Sequence, residues 1–141
     1  MKIVVAYDGS DGAKQAARAS VPIARASDAT LLLLHVINPR ADLGGIQGSH
    51  DEALREATRR AEDEAKAFAA DLYDRTEVRV ATVERGEDTG ETVCRVATDE
   101  GAEMLVIATR RAGGLSGFFL GSVTQQLIRH SACPVMVVRV E

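Results

Sequence analysis

The opening stretch MKIVVAYDGS, residues 1–10, decides how the chain is read. Lys2 to Tyr7 is a short, nearly continuous apolar run rich in Val and Ile, the pattern of a strand covered on both faces. Asp8-Gly9-Ser10 ends it with turn-forming residues. An amphipathic segment follows at once, with Ala13, Ala16, Ala17, Val21, Ile23 and Ala24 at helical spacing and Ser10 or Asp11 available as N-cap. Strand, turn and helix therefore succeed one another within the first residues.

The same signature recurs outward along the chain. Thr30 to Ile37 (TLLLLHVI) is a second buried strand, stopped at Asn38-Pro39 because proline has no N–H for the ladder. Asn38 to His50 contains Gly44, Gly45 and Gly48 and is expected to be an irregular, flap-like connection. Asp51 to Tyr73 predicts the longest helix, with Leu54, Ala57, Ala61, Ala65, Phe68 and Leu72 on one face and Glu56/Arg60 and Glu62/Lys66 at i,i+4 on the other. Glu77 to Glu84 alternates as an edge strand does, Thr89 to Glu100 is helical, and Met104 to Ala108 is again a buried strand. Thr109 to Gly117 predicts a glycine-rich loop with adjacent arginines, and Ser122 to Arg129 a helix. Beyond Pro134, Val135 to Val140 (VMVVRV) forms a last strand of strong β propensity.

Five strands alternating with four helices imply an α/β, Rossmann-like three-layer sandwich. Its five-stranded parallel sheet would have helices on both faces and a ligand crevice at the carboxyl ends of the strands. With 141 residues, 45% of them hydrophobic, one domain over residues 1–141 is expected to fold alone. A net charge of −4 lacks the basic field that non-specific nucleic-acid binding uses, and 4% aromatic residues with no Trp supply few stacking platforms, so no nucleic-acid partner is expected. The purely apolar run Leu31 to Leu34 is far short of the ~20 residues that cross a bilayer. No signal-peptide layout precedes the first strand, so a cytoplasmic protein without a membrane partner is expected.

Cys94 and Cys133 lie far apart and are read as small core residues. His35, His50 and His130 have no ligand spacing, and no metal site is expected; they are read as a strand, a loop and a helix-end residue. Walker, dinucleotide and nucleophile-elbow patterns are all missing, and the third strand ends Val83-Glu84-Arg85 without a phospho-acceptor Asp, so no catalytic residue is assigned. The strand-end loops Asp8 to Ser10, Val36 to Pro39 and Ala108 to Ser122 are where a site belongs. In the last of these, Gly121-Ser122 at a helix start offers free N–H groups, a dipole and a hydroxyl to an anion, or simply a helix cap.

VAYDGS at residues 5–10, LLHVI at residues 33–37 and GGLSGFFLGSVTQQLIRHSACPVMVV at residues 113–138 resemble the universal stress protein (UspA-like) family over almost the whole chain. The resemblance implies a stress-response domain that dimerises through its last strand, here Val135 to Val140. One branch of that family binds ATP or a related adenine nucleotide, with Mg²⁺, as a sensor or regulator. Residue by residue, Asp8 would meet ribose or adenine, Ala6 and Tyr7 would line the base pocket, Val36 would face the adenine edge and Ile107 would flank the base. Val123 and Thr124 would lie beside the phosphates with Gly121 and Ser122.

That branch carries a Gly-x2-Gly-x9-Gly-Ser/Thr loop. Here Gly121-Ser122 match its end, but Ala108 and Arg111 stand at its first two glycines. Glycine there permits close approach and φ > 0, so the Arg111 side chain, with Arg110, either supplies charge-assisted bonds to phosphates or fills the cradle. Three readings follow: a nucleotide-binding homodimer, the same fold acting through protein contacts without nucleotide, and a slow ATPase. Asp8 has its own plain alternative as the turn-former ahead of the first helix.

Overall fold

The computed structural model describes residues 1–43, 50–110 and 121–140. Five strands, β1 (Lys2–Ala6), β2 (Thr30–Ile37), β3 (Thr76–Thr82), β4 (Met104–Arg110) and β5 (Val135–Val140), form one parallel sheet in the order β3-β2-β1-β4-β5. The helices are α1 (Asp11–Ser27), α2 (Pro39–Asp42), α3 (His50–Ala70), α4 (Thr89–Asp99) and α5 (Ser122–His130).

Because β1 and β2 are buried on both faces, successive residues divide between two cores. Ile3, Val5, Leu31 and Leu33 face α1 and α3 with Ala16, Ala17 and Ala65. Val4, Leu32 and Leu34 face α4 and α5 with Val93, Val96, Ala97 and Leu127. From β1 the chain runs through α1 to β2 on one side; from β4 it runs through α5 to β5 on the other. The β1–β4 junction is thus the switch point of the sheet, where crossovers leave for opposite faces and open a crevice.

Several boundaries depart from the sequence reading. The stretch expected to be irregular begins with a short helix, α2, because Asn38 accepts from the Arg40 N–H at 3.1 Å and Pro39 supplies a helical φ at the first position. His50, read as a loop residue, opens α3, which ends at Ala70. Thr109 and Arg110, read as loop, continue β4, because they pair with Arg139 and Val140 of β5. β3 begins and ends earlier than expected, as it follows the register of β2 from Leu31↔Thr76 to Ile37↔Thr82. The flap glycines and the segment from Arg111 to Leu120 lie outside the described residues. Among the described residues no helix is long and apolar enough to cross a membrane.

Candidate functional site

At the carboxyl ends of β1, β2 and β4 lies a cavity of about 360 Å³. β1 brings Ala6 to it, with Tyr7 and Asp8 just beyond; β2 brings Leu34 and Val36; β4 brings Ile107 and Ala108; and the start of α5 brings Gly121, Ser122, Val123 and Thr124. Residues scattered from Ala6 to Thr124 are gathered there because a parallel sheet places every strand's carboxyl end on the same edge. Ser10 and Ala13 of the α1 start and Thr89 and Val93 of α4 complete the lining; Ser10 falls in the first strand-end loop marked from the sequence, whereas Ala13, Thr89, Val93 and Leu34 were not assigned to the site. A size of this order suits a small ligand, and the lining is mainly aliphatic with a few polar groups.

Three helices begin at this cavity, and they treat their first N–H groups differently. At α1, Ser10 Oγ accepts from the Ala13 N–H at 3.2 Å and Asp8 Oδ1 accepts from the Ser10 N–H at 3.0 Å. At α4, Asp88 Oδ1 accepts from the Glu91 N–H at 2.9 Å, and Gln126 Oε1 accepts from the Gly90 N–H at 3.0 Å. α5 begins at Gly121 with φ −60° and ψ 161° and has no side-chain cap. The Gln125 N–H donates back to the Gly121 carbonyl at 3.0 Å, so the N–H groups ahead of it have no helical carbonyl within reach. They and the helix dipole favour negative charge.

Asp8 performs the turn-forming role of its plain reading through its bond to Ser10, and it is also the one charged side chain in the described lining. Tyr7 is among the lining residues, and its side chain also has partners of its own. Its ring stacks on Phe68 with centroids 5.5 Å apart, and its hydroxyl donates to the Glu64 carboxylate at 2.7 Å, so the side chain belongs to the α1/α3 core. Burial, then the hydrogen bond and charge of Glu64, push the phenol well above its ordinary value, and it stays a neutral donor.

Ala108, at the first missing glycine, packs with the α1/α3 core, and its methyl lies 3.7 Å from where a Cβ on Gly12 would stand. The neighbouring Ile107 packs instead with α4 and α5. A side chain at position 108 therefore points toward Gly12 of α1, away from the face on which α5 begins. Arg110 ends β4; its side chain and all of Arg111 fall outside the described residues.

No hydroxyl of the described lining is hydrogen-bonded to a histidine. Cys94 is buried, Cys133 half-buried, and both are unbridged. Burial pushes the Cys94 thiol up to about 11, so it is a core residue and no thiolate nucleophile. His35 lies in β2, and its Nδ1 is buried without a partner. His130 ends α5 as expected. No group of three potential metal ligands occurs among the described residues.

Known proteins agree with this architecture. The universal stress protein family matches residues 1–139. A universal stress protein from Thermus aquaticus, encoded 3′ to a QAH/OAS sulfhydrylase, is 36% identical over 138 residues, 97% of each chain. The structure of hypothetical protein MJ0577 superposes with a TM-score of 0.78 at 25% identity, covering 99% of this chain and 96% of the other. A universal stress protein crystallised in complex with cAMP superposes with a TM-score of 0.65 at 26% identity, covering 100% and 98%. With its strand order, its switch-point cavity and this end-to-end match, the chain belongs to the universal stress protein family.

Proposed function

We propose that this chain binds an adenine nucleotide, ATP or a related one, in the switch-point cavity and acts as a cytoplasmic stress sensor or regulator without turning the nucleotide over. The observation that carries the reading is the α5 start: an uncapped helix N-terminus beside an aliphatic slot formed by Leu34, Val36 and Ile107. The slot suits a base and the N–H groups suit a phosphate. Asp8, also in the lining, is a carboxylate that can accept from a ribose hydroxyl. The orientation of Ala108 supports the reading, since its methyl leaves the α5 face clear. So does the related structure that holds cAMP. Mg²⁺ would arrive with the phosphates of a triphosphate, because the described lining offers the metal only the Asp8 carboxylate.

Calorimetry of the nucleotide-free protein against AMP, ATP and cyclic AMP, with Mg²⁺ present, tests this. Saturable heat with at least one of the three is expected. Silence with all three would reject the reading in favour of a family member that works through protein contacts alone.

The same proposal includes a homodimer through β5. Among the described residues this strand pairs only with β4, and Val135, Met136, Val137 and Val138 are half-buried along it. A free apolar edge of this kind must be covered or paired. In sedimentation, the parent protein is expected to be a dimer and Val137→Asp a folded monomer. A monomeric parent, or a variant still dimeric, would rule out this interface.

A further inference from the structure

Gln126 sits in the second turn of α5 and does not line the cavity, yet its side chain makes two bonds to the start of α4. Its Oε1 accepts from the Gly90 N–H at 3.0 Å, and its Nε2 donates to Asp88 Oδ2 at 2.9 Å. Asp88 is at the same time the N-cap of α4, through the other oxygen, Oδ1, to the Glu91 N–H. Gly90 completes the joint: a Cβ there would collide with Cβ and Oε1 of Gln126, so only glycine lets the two helices approach this closely. The joint ties the α4 turn that carries Thr89 and Val93 to the α5 turn that carries Ser122, Val123 and Thr124, all of which line the cavity.

From this geometry we infer that Gln126 is a positioning residue, holding the uncapped α5 start at its station over the cavity by clamping it to α4. The inference rests on the nucleotide reading for its functional sense, but the clamp itself can be tested separately. A neutral amide is required at one partner and a carboxylate at the other, because one side must accept from Gly90 while also donating to residue 88. Gln126→Glu keeps the acceptor for Gly90 but sets two carboxylates against each other. Asp88→Asn sets two amides together. The double variant restores an acceptor–donor pair in reversed order, and asparagine remains as good a helix cap as aspartate.

The experiment measures AMP, ATP and cyclic AMP affinity by calorimetry with Mg²⁺ present, and amide hydrogen exchange at Thr89 to Glu91 and Ser122 to Thr124, for the parent, both single variants and the double variant. Each single variant is expected to bind the nucleotide roughly tenfold more weakly, the equivalent of one lost hydrogen bond, and to exchange faster at both helix starts. The double variant should recover both properties. If the parent binds and the single variants bind equally well, or if the double variant is no better than the sum of the singles, the positioning role is refuted. If the parent binds none of the three nucleotides, the nucleotide reading fails on its own, and the exchange pattern still decides the clamp. Faster exchange in the singles with recovery in the double upholds it, and unchanged exchange overturns it.

Discussion

At the amino ends of the strands, Lys2 meets the Glu100 carboxylate at 2.8 Å and Arg79 meets its other oxygen at 2.7 Å; at the carboxyl ends, Asp8 stands alone as the charged side chain in the described lining of a cavity. Lys2 also approaches Glu77 at 3.4 Å, and Tyr73 donates to the Ala29 carbonyl at 2.9 Å. One edge of the sheet is closed by paired charges and main-chain caps. The other leaves the start of α5, among the described residues, without a side-chain cap. The contrast teaches where this fold places its stability and where it keeps hydrogen-bonding capacity in reserve for a ligand.

The sharpest way to break the contrast is to finish the open end as the other helix starts are finished. Gly121 has φ −60°, and a Cβ there would meet nothing within 4 Å, so Gly121→Asp fits without strain. The new carboxylate would cap α5 and repel phosphate. Nucleotide affinity is expected to fall by more than roughly tenfold in calorimetry while thermal stability rises by a few tenths of a kcal/mol, about the gain of replacing a glycine cap by aspartate. A capped variant that bound as tightly as the parent would show that the α5 N–H groups are not used.

A smaller effect, confined to stability, is expected at the closed end. Glu100→Gln should cost about 1 kcal/mol near neutral pH, measured by urea unfolding, with nucleotide affinity unchanged. Hydrogen bonds from Lys2 first, then Arg79, hold the Glu100 carboxyl below its ordinary value of 4.5. A carboxyl lowered in the folded state contributes stability that is fully present above the ordinary value and is lost as pH falls through the lowered one. The gap between parent and variant should therefore narrow below about pH 4.5. A gap independent of acid would mean that Glu100 acts through packing rather than charge.

The strands were legible because buried parallel strands are written as apolar runs, and KIVVA, TLLLLHVI and VMVVRV stand out against their flanks. β4 was harder to delimit, since Thr109 and Arg110 are polar and only their pairing with β5 makes them strand. The strand-end residues of the cavity were legible from family likeness and from the rule that ligands sit at carboxyl ends. Thr89 and Val93 were not, because they belong to the helix that follows the edge strand β3. They reach the cavity only when α4 crosses β2 and β1 on its way to β4. The partners of Tyr7 were not legible, because the sequence shows a tyrosine at a strand end but not that Phe68 and Glu64, far along the chain in α3, engage its ring and hydroxyl. No spacing signal links Gln126 to Gly90 either.

The strand order has one more consequence, in time rather than in space. β1, β2 and β3 are joined by neighbouring stretches of chain, whereas β1 pairs with β4 across about a hundred residues, from Ile3↔Met104 to Val5↔Val106. As the chain leaves the ribosome, the first three strands can associate early, while the wall contributed by β4 and α5 is made last. The cavity therefore comes into being only when the stretch from Met104 onward has folded back onto β1, and ligand capture would report that this long-range pairing has been made.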